Sequence, residues 1–155
     1  MAEDTAPRRR RFELGTDGPQ VIVAGVDGSP TSLRAGAYAA GLARRQRARL
    51  VVVHVATAPV LAMLASDQPW PVEEMLADTE EDLRAQVRAG AAHVGIPVEF
   101  VTARGEPFGQ LSRIASELRA DAVVVGASTR AGHRIVGSLG GRLVRAGKWP
   151  VIIVP

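Results

Sequence analysis

The stretch Val21-Ile22-Val23-Ala24-Gly25-Val26-Asp27-Gly28-Ser29-Pro30 decides the fold. Its first six residues are a continuous apolar run rich in β-branched side chains, which suits a strand covered on both faces. Asp27-Gly28 then turns the chain, and Ser29-Pro30 offers a helix cap followed by proline at the first helical position. A buried strand that runs straight into a helix opens a strand-helix-strand unit, and such units build parallel sheets.

Outward from that stretch the pattern repeats. Leu50-Val51-Val52-Val53-His54-Val55, Ala122-Val123-Val124-Val125 and Val151-Ile152-Ile153-Val154 are further continuous runs. Val98-Glu99-Phe100-Val101-Thr102 alternates instead, which predicts a strand at a sheet edge. The first helix runs to about Gln46. In the second, Val72, Met75, Leu76, Thr79, Leu83, Val87, Ala91 and Val94 recur at spacings of three and four and predict one buried stripe. Its N-terminal half is acidic, as the helix dipole favours, and Gly95 and Pro97 stop it. The third helix follows Gly105-Glu106-Pro107 and turns Phe108, Leu111, Ile114, Ala115 and Leu118 inward. A short fourth begins near Gly137-Ser138 and carries Leu139, Leu143 and Ala146. Strands and helices alternate throughout, so right-handed crossovers give an α/β fold: an open, doubly wound parallel sheet of five strands with helices on both faces.

Composition agrees with one domain. The chain has 155 residues, against about 100–200 for a typical domain. Residues 1–19 are polar and aperiodic and read as a disordered leader; residues 20–155 form the folded domain. With no cysteine, the chain cannot use disulfides, iron–sulfur clusters, thiolate zinc or a cysteine nucleophile. No apolar run approaches the roughly 18 residues of a membrane span, and the expected location is the cytoplasm. The pI of about 10.5 accompanies a net charge of only +3, because every basic residue but Lys148 is arginine. The cluster Arg8 to Arg11 is offset by Glu3, Asp4, Glu13 and Asp17, and aromatic residues are 4% of the chain. A nucleic-acid binder needs a sustained basic stripe or stacking aromatics; neither is present.

Ligands of doubly wound sheets bind beyond the C-terminal ends of the strands, where the strand order reverses. Two segments bring polar groups there. Asp27 could accept hydrogen bonds from a nucleoside, or could simply start the first helix. The loop Gly126-Ala127-Ser128-Thr129-Arg130 through Gly137-Ser138 leaves strand 4 and enters helix 4. Backbone amides at a helix start favour anions, and Arg130, His133 and Arg134 add positive charge; otherwise it is a solvated loop turned by glycines. There is no Walker pattern. His54, at the end of a hydrophobic strand, reads as a packed or hydrogen-bonded histidine, and the three scattered histidines suggest no metal site. No nucleophile–base–acid set is visible.

At these residues the chain resembles the universal stress proteins, over about residues 20–155. The resemblance rests on Val26-Asp27-Gly28-Ser29, Val53-His54-Val55, Gly105-Glu106-Pro107, Asp121 to Gly126, Gly137-Ser138 and Trp149 to Pro155. It implies the strand order 3-2-1-4-5 of the adenine-nucleotide alpha-hydrolase-like fold. Members that bind ATP carry two glycines after strand 4 and then Gly-Ser or Gly-Thr; here Thr129 stands for the second glycine and the stretch to Gly137 is shorter. The resemblance implies a site for ATP or another adenine nucleotide, with magnesium accompanying the phosphates. Asp27 and Leu50 would serve the nucleoside; Gly126, Ser128, Thr129, Arg130, Gly137, Ser138 and Leu139 would serve ribose and phosphates. A stress-response protein that works by binding is expected, with at most slow ATP hydrolysis or autophosphorylation. Its partner would be a second copy, paired through the uncharged strand Val151, Ile152, Ile153 and Val154. The alternative is a dimeric interaction module of the same family without nucleotide.

Overall fold

The computed structural model describes residues 18–57, 71–128 and 138–155. Its elements are β1 (Val21–Val26), α1 (Pro30–Gln46), β2 (Arg49–Ala56), α2 (Val72–Val94), β3 (Val98–Arg104), α3 (Pro107–Glu117), β4 (Ala122–Gly126), α4 (Leu139–Ala146) and β5 (Val151–Val154). Of the expected leader, residues 1–17 lie outside the described residues. The five strands form one sheet, every pairing parallel, in the order β3-β2-β1-β4-β5. Both the fold class and the strand order agree with the sequence.

Side chains alternate between the two faces, and both faces are buried. Ile22, Ala24, Val26, Leu50, Val52 and Val124 point to the side covered by α1 and α2. Val23, Val51, Val53, Val123 and Val125 point to the other side, against Leu111, Ile114 and Ala115 of α3 and Leu143 of α4. Strands covered on both sides must be apolar at every position, which is why they read as unbroken valine runs. Each such side chain contributes about 1.5–3 kcal/mol by leaving water. β3 lies at the edge, and its alternating sequence leaves Glu99 exposed to pair with Arg49.

The starts of α1, α3 and α4 are capped by side chains, whereas Pro71 before α2 makes no side-chain cap. Ser29 Oγ accepts from the Ser32 amide at 3.2 Å, and Ser138 Oγ accepts from the Gly141 amide at 3.1 Å. The Glu106 carboxylate accepts from the amides of Phe108 at 3.2 Å and Gly109 at 2.8 Å. α2 ends at Gly95, whose φ of 73° closes the last turn.

α2 departs from expectation. Of its predicted stripe only Leu83 is buried; Val72, Leu76, Val87, Ala91 and Val94 are half-buried, while Met75 and Thr79 are exposed. The helix lies over β2 and the edge strand β3. Among the described residues the sheet offers no further strand beyond β3 to cover the outer part of that stripe. Where the second half of α2 faces α1, the meeting residues Gly36, Ala37, Gly90 and Ala91 are too small to fill the gap, and a cleft remains.

Candidate functional site

β1 and β4 are neighbours, yet β1 continues into α1 on one face and β4 leads toward α4 on the other. The chain diverges there and leaves an opening at the C-terminal ends of the two strands, as doubly wound sheets do. Its volume is about 680 Å³. Its lining is polar at Asp27, Ser29, Thr31, Ser32, Ser128 and Ser138 and apolar at Val53, Val125 and Leu111.

Asp27 is the one charged residue among the described lining. Gly28, at φ +83°, bends the chain so that the Ser29 amide donates to Asp27 Oδ1 at 2.9 Å. The Asp27 amide in turn donates to Ser32 Oγ at 3.1 Å. Burial pushes the Asp27 carboxyl up, but hydrogen bonds from the Ser29 hydroxyl and amide and the Ser32 hydroxyl outweigh it. The group therefore sits below the usual aspartate value. At neutral pH Asp27 is an anchored carboxylate that can only accept hydrogen bonds.

Gly126 also lines the cleft, but its lack of a side chain has a packing cause. A Cβ there would lie 2.6 Å from the Ser32 amide nitrogen and 2.6 Å from the Thr31 carbonyl carbon. The end of β4 thus touches the first turn of α1 directly. Ser138 and Leu139 form the opposite lip. With Ser138 Oγ committed to the Gly141 amide, the first-turn amides of Leu139 and Gly140 keep no partner within the helix.

The site residues expected from sequence divide into three groups. Asp27, Gly126, Ser128, Ser138 and Leu139 do come together around the cleft. Thr129, Arg130 and Gly137 lie outside the described residues. Leu50 is corrected: it is paired beside Ile22 near the start of β2, 1% exposed, on the α1/α2 face and away from this opening. Strand parity and strand end both exclude it; Val53 and Val55 of β2, and Thr57 just after it, reach the cleft. Sequence reading also passed over Thr31, Thr57 and Pro107 as lining residues. Their signal was position alone, each lying just past a strand end or in the first turn after it. His54 is 5% exposed, with Nδ1 3.1 Å from the Val26 carbonyl oxygen. A carbonyl can only accept, so Nδ1 carries the proton and the ring fastens β2 to β1. Among the described residues no group of three or more His, Asp or Glu could hold a metal ion, and no helix is long and apolar enough to cross a membrane.

Comparison with known proteins gives a consistent picture. No curated protein matches the chain. Among solved structures, a universal stress protein in complex with cAMP is 24% identical, with a TM-score of 0.70 over 88% of this chain and 97% of that one. The universal stress protein UspA from Lactobacillus plantarum is 22% identical, with a TM-score of 0.70 over 88% and 97%. A member from Burkholderia pseudomallei is 24% identical, with a TM-score of 0.65 over 88% and 96%. At these identities the likeness speaks to the fold. The profile of the universal stress protein family matches residues 19–155, nearly the whole chain, and the chain belongs to that family.

Proposed function

We propose that this protein binds an adenine nucleotide in the cleft at the C-terminal ends of β1 and β4 and acts through binding rather than turnover. The observation that carries this reading is the pairing of two unlike lips across one opening. Asp27 is an ionised acceptor suited to ribose hydroxyls or an adenine amine, and the amides at the start of α4 suit phosphate oxygens. The volume of about 680 Å³ falls within the usual range for small-molecule sites. A family member solved with cAMP supports the ligand class. Magnesium, where it accompanies the nucleotide, would be held by the phosphates.

Calorimetry with adenosine, AMP, cAMP and ATP on wild type and Asp27→Ala tests this. Binding of at least one nucleotide, weakened about tenfold or more by Asp27→Ala through loss of a charged hydrogen bond, is the expected result. Absence of binding at millimolar ligand would reject the nucleotide reading. A second reading, a homodimeric interaction module, draws on Ile153 of the edge strand β5 and Val144 of α4, which are 45% and 55% exposed. The two readings part at the nucleotide: the second holds if the protein dimerises and binds none.

A further inference from the structure

The sheet face opposite α3 and α4 carries a second cleft, of about 340 Å³, between α1 and the second half of α2. Its floor is Val26, Leu50 and Val52, all 5% exposed or less. Its walls include Gly36, Ala37 and Ala40 on α1 and Gly90 and Ala91 on α2, beside the larger Leu33, Val87 and Val94. Small residues stand on both walls, and neither glycine is held there by crowding: a Cβ on Gly90 would meet nothing within 4 Å, and one on Gly36 only a Val26 methyl at 3.6 Å. Among the described residues no Asp, Glu, Lys or Arg lines the cleft; Gln86 and His93 are its only polar side chains, and both are exposed.

We infer that this cleft is a binding site for a small, uncharged, mainly apolar molecule of about two fused rings. The chemistry of the lining sets the class. A charged ligand would lose its hydration and find no ion-pair partner on the floor or walls. Water gains little there, because a water needs two to four polar partners and the floor has none. An apolar surface of this kind is wetted at a cost and filled at a gain. Size sets the scale: an apolar cavity of about 150 Å³ takes a benzene ring, so one of about 340 Å³ suits a bicyclic such as indole. Gln86 and His93 can then bond a single polar atom of the ligand directed outward.

Indole and naphthalene are suitable probes, titrated at pH 8 into uniformly nitrogen-15-labelled full chain and followed by amide shifts. Saturable shifts at Gly36, Leu50 and Gly90, with Kd on the order of 0.1–1 mM for a ligand of this size, are expected. Gly90→Leu and Ala40→Leu fill the cleft from opposite walls, and each should weaken indole by roughly tenfold or more through lost cavity volume. Gly90→Leu has open space around it and replaces glycine within a helix by a strong helix former, so it keeps the fold if Ala40→Leu does not. Indole-3-acetate should bind more weakly than indole. Asp27→Ala should leave the indole titration unchanged, which separates this site from the nucleotide cleft. The inference is overturned if no saturable shift occurs at millimolar indole, if both fillers bind like wild type, if the carboxylated analogue binds better, or if Asp27→Ala abolishes binding. Shifts at the same amides that follow protein dilution instead of indole would also overturn it, marking the cleft as a contact between copies.

Discussion

Gly126 and Asp27 show how a site residue can be set by packing before any ligand is present. The end of β4 meets the first turn of α1 at a distance no side chain tolerates. Gly126→Ala should therefore destabilise the fold by about 1–3 kcal/mol, the usual range for overpacking, as measured by urea unfolding. It should also weaken nucleotide binding, because the displaced turn carries Ser29, Thr31 and Ser32 of the cleft wall. Asp27 answers to pH. Its folded pKa lies below the ordinary value of 3.8, so ionised Asp27 stabilises the fold above that value. The contribution fades as pH falls through the folded pKa. Asp27→Asn should accordingly melt below wild type at pH 7, and the gap should close on acidification toward pH 2; a gap independent of pH would point to lost shape rather than lost charge. The residues alone left Asp27 open between a helix start and a nucleoside contact; likeness to the family put it in the site, and it does line the cleft. The same likeness misplaced Leu50, because a run such as Leu50-Val51-Val52-Val53 has no polar residue to mark which face, or which end, meets the cleft.

At the level of elements, the strands were easy to read and the second helix was not. A strand buried on both faces declares itself by composition, and its neighbours need not be known. A helix stripe declares only which side is apolar; how deeply it sinks depends on the partner surface. α2 overhangs the edge strand and faces small residues on α1, so its spacing was read correctly and its burial was not. The start of α3 offers a cleaner test. Glu106 caps the helix, pairs with Arg142 of α4, and holds that guanidinium 4.3 Å over the Phe108 ring. Burial raises the Glu106 carboxyl, but the amides of Gly109 and Phe108 and the Arg142 charge bring it below the usual glutamate range. Glu106→Ala should cost about 1 kcal/mol through the lost cap. The Arg142 ion pair is exposed and adds little, so Arg142→Ala should cost less than Glu106→Ala. Chemical denaturation at pH 7 distinguishes them; equal costs would mean that the stacking on Phe108, rather than the cap, dominates.

For the whole molecule, alternation of strands and helices was enough for the doubly wound class, since right-handed crossovers leave few ways to arrange five parallel strands. The strand order came from likeness to a family, because the runs are too uniform to show which neighbours which. That order puts β5 at an edge, with consequences for assembly. Val151 to Val154 carries no charge, proline or bulge, the devices by which monomeric proteins blunt an edge. Ile153 is 45% exposed there, and Val144 on α4 is 55% exposed. Pairing of β5 with its copy about a two-fold axis would satisfy the open edge and place the same patch on both subunits, as an isologous contact requires. Light scattering at micromolar concentration should give twice the chain mass of 16.3 kDa. Ile153→Glu should convert the protein to monomer without lowering helix content, because the side chain sits outside the core and an unpaired carboxylate is costly only where the second subunit covers it. The shift in dimer affinity should be roughly a hundredfold, corresponding to about 3 kcal/mol. A monomeric wild type, or a dimer indifferent to Ile153→Glu, would leave β5 as an edge protected by some other part of the chain.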